Sequence, residues 1–408
     1  MIKQGRNDPC QCGSGKKFKQ CCQQSLVART PVATSLVEQT RQALQAAWTH
    51  RQHGNFSKAE ELCHQVIQKA PNNSDAFNLL GVLMMQDGRV DLATDYFSRA
   101  VSLNPKNPEF HSNLGLAFHE QGNLVAAEKQ YRRAIAIKPD YADAHYNLHA
   151  VLLANDDLAP AIKSIQKVVS LQPLDIDARY MLGVLLEYTG NMDAASEQLE
   201  IVSKSSSLMK ARLDAWNYIK SAAKQLPRIT GSGDQIFRLG FTQANSNGLV
   251  LEFGVRFATS IRQIAKMVNQ PVYGFDSFEG LPEVWHHEPK GSYTTKGVVP
   301  IVPDNVSLYV GWFEDTLPKF LEANAGPVRL INIDCDIYSS TVTILENLAP
   351  RMVLGSVIVF DEYIGNERWR EDEYKAFQEA VEKYHWEYEY IAFSVFTKQV
   401  AVRITRVN

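Results

Sequence analysis

DAFNLLGVLMMQDGRVDLATDYFSRAVSLNPKNP, residues 75–108, is one unit of a pattern that returns every 34 residues. Pro71, Pro105, Pro139 and Pro173 keep that spacing, as do Ala59, Ala93, Ala127, Ala161 and Ala195. Gly54, Gly88, Gly122 and Gly190 form a third series, with Asp156 in its fourth slot; Gly81, Gly115 and Gly183 form another, interrupted by His149. Small residues let two antiparallel helices approach, a glycine marks the turn between them, and proline ends the second helix. Five such units fit between about residues 41 and 204. Their hydrophobic stripes, with Cys63 among them, read as core. SSLMKARLDAWNYIKSAAKQLP, 205–226, reads as a helix capping the array, and PRITGSGDQ, with proline, two glycines and no apolar period, opens a linker over 227–245.

This series resembles the tetratricopeptide repeat, which implies an α-solenoid over 36–226. Such arrays usually hold a peptide or another protein on their concave face. Asn113-Leu114 recurs as Asn147-Leu148, similar to the asparagine ladder in the repeats of O-linked N-acetylglucosamine transferases, which binds a peptide backbone. The ladder is short, because Leu79 and Met181 fill the equivalent positions, and a solvated asparagine is the competing reading.

Beyond the repeats the period changes. GLVLEFG, PVYGFD, VSLYVG, VRLINID and SVIVFDE are short β-rich runs, mostly separated by helical stretches. That alternation argues for a parallel sheet covered on both faces. YEYIAFS and KQVAVRIT are close enough to pair as a hairpin. Five parallel strands and a closing hairpin suggest the α/β, Rossmann-like seven-stranded class I methyltransferase fold over 246–408. Ligands of such sheets sit at the carboxyl ends of the strands. Glu252 and Gly254, Asp276, Asp334 and Asp336, then Asp361 and Glu362 occupy four successive strand ends, where each desolvated carboxylate needs a partner.

LEFGV, YGFDSFEGLPE, GWFEDTLP, IDCDIYSST and VIVFDEY resemble the macrocin O-methyltransferase family, over about 249–404. The resemblance implies S-adenosylmethionine-dependent, metal-assisted methylation of sugar hydroxyls. It implies that Glu252 and Gly254 form the first cofactor motif, that Asp276 faces the ribose with Ser277 and Phe278 continuing the loop, and that Gly311 and Trp312 lie near the adenine. Asp334, Asp361 and Glu362 match the family's ligands for Mg²⁺ or another divalent ion, and Asp336 its general base. Two positions depart from the pattern: Ala258 replaces a second glycine, and Glu362 replaces a second aspartate.

Physical chemistry allows this reading. Methyl transfer from a sulfonium is an in-line displacement that mainly needs alignment. A carboxylate such as Asp336, two residues from Asp334 along an extended segment, would take the acceptor's proton. The loop from Trp285 through His286 and His287 to Tyr293 has two readings, a lid over the acceptor or a solvated loop; adjacent histidines are poorly spaced for one metal ion. Cys335 reads as a small core hydrophobe.

At the other end, GRNDPCQCGSGKKFKQCC sets Cys10, Cys12, Cys21 and Cys22 in two close pairs around a short loop, a donor set that suits tetrahedral zinc. The segment resembles the zinc-binding tail of the SecA preprotein translocase ATPase (the SEC-C motif), with Gln11 where proline is usual, over residues 1–26. Lys3, Arg6, Lys16, Lys17 and Lys19 against Asp8 make it a cationic knob, suited to an acidic protein patch or RNA, and contact with ribosome or translocase is one reading.

The 408 residues suggest two to three domains at about 150 residues each. A net charge of −3 gives no global basicity for nucleic acid. The absence of any run of about 18 apolar residues and of an apolar N-terminal stretch reads as a cytoplasmic chain with reduced thiols. The expected protein is an O-methyltransferase acting on a sugar, glycan or small-molecule hydroxyl, its repeats recruiting a protein or protein-borne acceptor. The competing readings are a catalytically silent adaptor and an enzyme that methylates protein side chains.

Overall fold

In the computed structural model, which describes residues 16–20, 31–245 and 247–407, the 34-residue pattern becomes five helical hairpins. They are α1 (Pro31–Gln52) with α2 (Phe56–Lys69), α3 (Ser74–Gln86) with α4 (Val90–Leu103), α5 (Pro108–Glu120) with α6 (Leu124–Ile137), α7 (Ala142–Leu152) with α8 (Ala159–Leu171), and α9 (Ile176–Tyr188) with α10 (Met192–Ser203). The periodic alanines are all buried. The glycines at 54, 88, 122 and 190 turn with φ of 74°, 69°, 74° and 86°, the left-handed region where glycine is unstrained. The helical glycines mark contact points: a Cβ on Gly115 would lie 2.7 Å from the Tyr131 ring, and one on Gly81 2.5 Å from the Phe97 ring. Where Asp156 replaces the turn glycine, the connection lengthens to Leu153–Leu158, against Gln121–Asn123 in the preceding hairpin.

By density of internal contacts the chain forms two units. One holds the residues up to Asp87 together with Leu92–Pro105. The other holds Gly88–Asp91 and Lys106 onward, so the last three hairpins fold with the C-terminal domain. In the first unit α2 packs on both α1 and α3, and Ala59, Cys63, Ala93 and Phe97 are buried.

The second unit continues with α11 (Ser207–Ala222), β1 (Arg228–Ile229), α12 (Gly233–Gln243), β2 (Leu249–Phe253), α13 (Thr259–Met267), β3 (Val272–Asp276), β4 (Val306–Val310), α14 (Phe313–Ala323), β5 (Val328–Ile333), α15 (Tyr338–Leu348), β6 (Val357–Phe360), α16 (Glu373–Tyr384), β7 (Glu387–Phe393) and β8 (Val400–Arg406). The strand order is β1-β7-β8-β6-β5-β2-β3-β4. All pairings are parallel except those of β8 with β6 and β7. The five expected parallel strands and the closing hairpin are present. The eighth strand, β1, and the helix α12 lie in 227–245, the stretch expected as a linker. Ile229, Ile236 and Phe237 are buried there, and Thr230 N donates to Phe393 O at 2.9 Å. Gly231 and Gly233 gave that stretch the look of a linker, but Gly231 serves close packing: a Cβ there would lie 1.9 Å from Ala150 O.

Along β2 the side chains alternate between two cores. Leu249, Leu251 and Phe253 join a core containing α14–α16 and the repeats from Ala127 onward, and Val250 joins a second core with Ile236, Phe237, Ile261 and Ile264. The capping helix α11 belongs to the first. Its Trp216 ring stacks on Phe393 of β7 at 5.3 Å and donates Nε1–H to Glu187 at 2.6 Å, while Tyr218 packs on Trp369 and Tyr374. The helix therefore seals the array onto the sheet. Among the described residues, no helix is long and apolar enough to cross a membrane.

Because the obstacle at Gly231 is backbone, no rotamer change can relieve it. Gly231→Ala is expected to destabilise the full chain by about 3 kcal/mol or more, and Gly115→Ala by less, since its helix propensity offsets part of the clash. Urea unfolding of the two variants measures the difference.

Candidate active site

The chain leaves β2 toward β3 and β4, then crosses back to β5 on the other side of β2, so the strand order reverses between β2 and β5. Parallel sheets open a crevice at the carboxyl ends of such strands. Here the opening has a tight floor: Gly254, φ 92°, leaves so little room that a Cβ would lie 1.7 Å from Asp334 O. Asp334 N donates to Phe253 O at 2.8 Å and Gly254 N to Phe275 O at 3.0 Å, which ties the ends of β5, β2 and β3 together.

Above this floor lies a cavity of about 720 Å³, inside the roughly 300–1,000 Å³ of small-molecule sites. Gly254, Asp276, Ser277, Trp312, Asp334, Asp336, Asp361 and Glu362 all line it. Of the residues singled out from sequence, Glu252, Phe278 and Gly311 do not. Glu252 is wholly buried behind the wall, where Oε1 accepts from Ser260 Oγ at 2.5 Å and Oε2 has no partner. Phe278 is buried with φ 60°, and Gly311 N donates to Asp276 O at 3.0 Å. Asp276 accepts from Arg256 N at 2.7 Å and Phe278 N at 2.6 Å, so its carboxylate organises both loops at the mouth. Cys335, the expected core thiol, is buried beside Thr341 but also borders the cavity.

Left-handed backbone gathers around the cavity at Arg256, Ala258, Phe278, Tyr293 and Asp336 (φ 64°), positions costly for non-glycine residues and characteristic of functional loops. At Ala258, where a glycine was the expected pattern, φ is 64° and the residue caps α13. Asp336 turns this way just after β5, which brings its carboxyl into the same cavity as Asp334.

Crowded, half-buried acids resist ionisation. Burial, then the charge of Asp361 and Glu362, pushes Asp336 up to about 7, with Lys398 opposing. Burial and Glu362 push Asp361 up to about 7, opposed by Gln399 and Lys398. Burial raises Glu252 to about 8. Asp334 and the wholly buried Glu373 lie well above the carboxylate range, through burial and then Asp361.

Sequence reading missed Lys398, Gln399 and Glu373. Lys398 Nζ sits 2.8 and 3.2 Å from the two oxygens of Glu362, Gln399 Nε2 donates to Asp361 Oδ1 at 2.7 Å, and Glu373 Oε2 accepts from Glu362 N at 3.2 Å. No spacing rule links the two parts of the chain; only the antiparallel pairing of β6 with β8 does. Arg256 was also missed; its guanidinium covers Phe257 and Tyr293 at 4.8 and 5.4 Å. The loop of Trp285 to Tyr293 is tied down rather than solvated throughout. Trp285 and Tyr293 line the cavity, and His286 Nε2 pairs with Asp372 Oδ2 at 2.8 Å.

As arranged, the acids do not fit a divalent ion. Among the described residues no three Asp, Glu, His or Cys side chains converge on one point, Glu362 is taken by Lys398 and Asp361 by Gln399. The expected zinc ligands Cys10, Cys12, Cys21 and Cys22 lie outside the described residues.

The sequence matches the SEC-C motif over residues 6–24, tetratricopeptide repeat models over 50–117 and 116–156, and the macrocin-O-methyltransferase (TylF) model over 296–386. It is 35% identical over 115 residues to 8-demethyl-8-(2,3-dimethoxy-alpha-L-rhamnosyl)-tetracenomycin-C 4'-O-methyltransferase of Streptomyces olivaceus, covering 22% of this chain and 41% of that enzyme. It is 26% identical over 115 residues to demethyldecarbamoylnovobiocin O-methyltransferase of Streptomyces niveus, covering 24% and 43%. The chain thus spans about two fifths of the length of these curated relatives. Among solved structures, the calicheamicin methyltransferase CalS11 matches with TM-score 0.33 and 18% identity, covering 52% of this chain and 93% of that one.

A carboxyl raised above its ordinary pKa holds a proton in the folded chain that the unfolded chain gives up, so its stabilisation is complete below about pH 4 and lost through about pH 7–8. The melting temperature of the ligand-free protein is therefore expected to fall from about pH 5 to pH 8, and Asp336→Asn to flatten that fall. Equal slopes in the two would contradict the assignment. The chain therefore carries an SEC-C motif, tetratricopeptide repeats and a C-terminal domain similar to the macrocin O-methyltransferases.

Proposed function

We propose that this protein is an S-adenosylmethionine-dependent O-methyltransferase acting on a sugar or glycan hydroxyl. One observation carries the reading: acids from the ends of β3, β5 and β6 meet Gly254 around a single cavity at the reversal of strand order. When bound, S-adenosylmethionine supplies a methyl group from a sulfonium. Asp276 would accept hydrogen bonds from the ribose hydroxyls through the lone pairs its two backbone donors leave open. Gly254 lets the chain approach the cofactor closely, and Trp312 offers an apolar face for the adenine. The surrounding carboxyls favour the sulfonium's positive charge over the neutral thioether product.

Asp336 is the base in this scheme. Its pKa of about 7 balances availability against proton affinity at neutral pH. It would take the acceptor's hydroxyl proton as oxygen bonds to the methyl carbon and the carbon–sulfur bond breaks. Trp285 and Tyr293 would wall the acceptor side, where flat sugar faces pack well on aromatic rings. Because Glu362 and Asp361 are engaged by Lys398 and Gln399, no step here passes through a divalent ion. The repeats would bring a protein or protein-borne acceptor; Asn113 and Asn147, both half-buried, are the positions for a peptide backbone. Cys10, Cys12, Cys21 and Cys22 would bind structural zinc, contributing the folding energy of a segment too small for a core.

Three measurements test this. Calorimetry should show S-adenosylmethionine binding to wild type and a loss of about tenfold or more in affinity for Asp276→Ala; no binding by wild type would sink the enzyme reading. Transfer of labelled methyl from S-adenosylmethionine into a glycan-containing extract should fall by about 10²-fold or more in Asp336→Asn, with donor affinity retained. Elemental analysis of the full chain should find one zinc per molecule, absent when Cys10 and Cys12 are replaced by serine.

A further inference from the structure

Two of the 34-residue series break, and both breaks fall in the fourth hairpin: His149 stands in a slot for helical glycine and Asp156 in a slot for turn glycine. Both positions meet the catalytic domain. Arg228, the first residue of β1, reaches Asp156 Oδ1 at 2.9 Å and donates to Asn155 O at 3.0 Å. His149, wholly buried, stands edge-on to Phe396 with ring centroids 5.8 Å apart. Tyr146 and His119 complete the grip on the same ring, at 5.8 and 6.0 Å. A glycine at 149 would leave Phe396 open on that side.

Phe396 lies in the connection from β7 to β8, and the next residues are those that reach the active-site acids. Lys398, left-handed at φ 65°, pairs with Glu362, and Gln399 donates to Asp361. The connection is internally braced: Ser394 N donates to Gln399 O at 2.8 Å, Thr397 N to Ser394 Oγ at 2.9 Å and Thr397 Oγ1 to Gln399 Oε1 at 3.0 Å. A ring held by the repeats and two groups held by the acids therefore share one stiff turn.

We infer that Phe396 and Lys398 are positioning residues for methyl transfer, and that the third and fourth hairpins hold them through His119, Tyr146 and His149. The inference rests on the methyltransferase reading and goes past it: the repeats form part of the catalytic apparatus, in addition to any recruiting role. Neither residue touches donor or acceptor; each acts through Asp361 and Glu362, which line the same cavity as Asp336.

Hydrogen–deuterium exchange on the full chain, combined with label transfer, reads this out. In Phe396→Ala, amides of 361–366 should exchange about tenfold faster. His149→Gly, which restores the glycine of the series, should do the same and serves if Phe396→Ala fails to fold. In both, label transfer at saturating S-adenosylmethionine should drop about tenfold with an unchanged KM for that donor. Lys398→Met should lose transfer similarly, and Lys398→Arg should restore most of it. Faster exchange confined to 394–399, with 361–366 protected as in wild type, overturns the inference, as does equal loss in the Arg and Met variants. If wild type binds no S-adenosylmethionine, the methyltransferase reading fails instead, and the exchange result still decides whether the repeats hold the acid loop.

Discussion

Phe393, at the end of β7, is buried between the sheet and the repeat array, stacked on Trp216 and 6.2 Å from the Tyr188 ring. Burying each such side chain is worth about 1.5–3 kcal/mol, and an aromatic pair adds roughly 0.5–1.5. Because the contact joins α11, α9 and the sheet, the last three hairpins and the C-terminal domain share one apolar core. Tyr218, Tyr363, Tyr388 and Tyr390 extend it as a hydrogen-bonded cluster, with hydroxyl pairs 3.1–3.3 Å apart. A tether would let the two parts move independently. A shared core does not, and it fixes which residues of the repeats can face the site.

The acids that line the cavity are half-buried, and their crowding governs how readily they ionise. Three carboxyls with raised pKa values, Asp334, Asp336 and Asp361, line one crevice, with Glu252 and Glu373 wholly buried nearby, and the fold tolerates the five because Lys398, Gln399, Ser260 and a backbone amide offset part of the cost. The result is a crevice whose acids hold their protons more tightly than free carboxyls do. Left-handed residues around it show that the backbone is held against its own preference where the acids are aimed.

Much of this was legible in the chain. The 34-residue period located every hairpin because helix contact imposes it locally: Gly115 and Ala127 are small since Tyr131 and the facing helix leave no space. The β-runs and their terminal acids were equally readable, because strand-end acids are where an α/β sheet puts its ligands. Residues 227–245 were misread since glycine signals a linker and close packing alike, and the distinction lay in Ala150, far away in sequence. Glu252, read as part of the first cofactor motif, is wholly buried and accepts from Ser260 of α13, a residue eight positions on that the strand-end pattern does not single out.

By itself the sequence determined the repeat, the order of strands and helices, and the acids that end them, since each follows from periodicity or from propensity within a few residues. The tertiary structure alone decided that the repeats fuse to the sheet, that Lys398 and Gln399 meet Glu362 and Asp361, and that His149 and Asp156 interrupt the pattern where another domain presses on it. Those contacts join segments tens of residues apart or more, and only the antiparallel pairing of β6 with β8 and the burial of shared apolar surface bring them together.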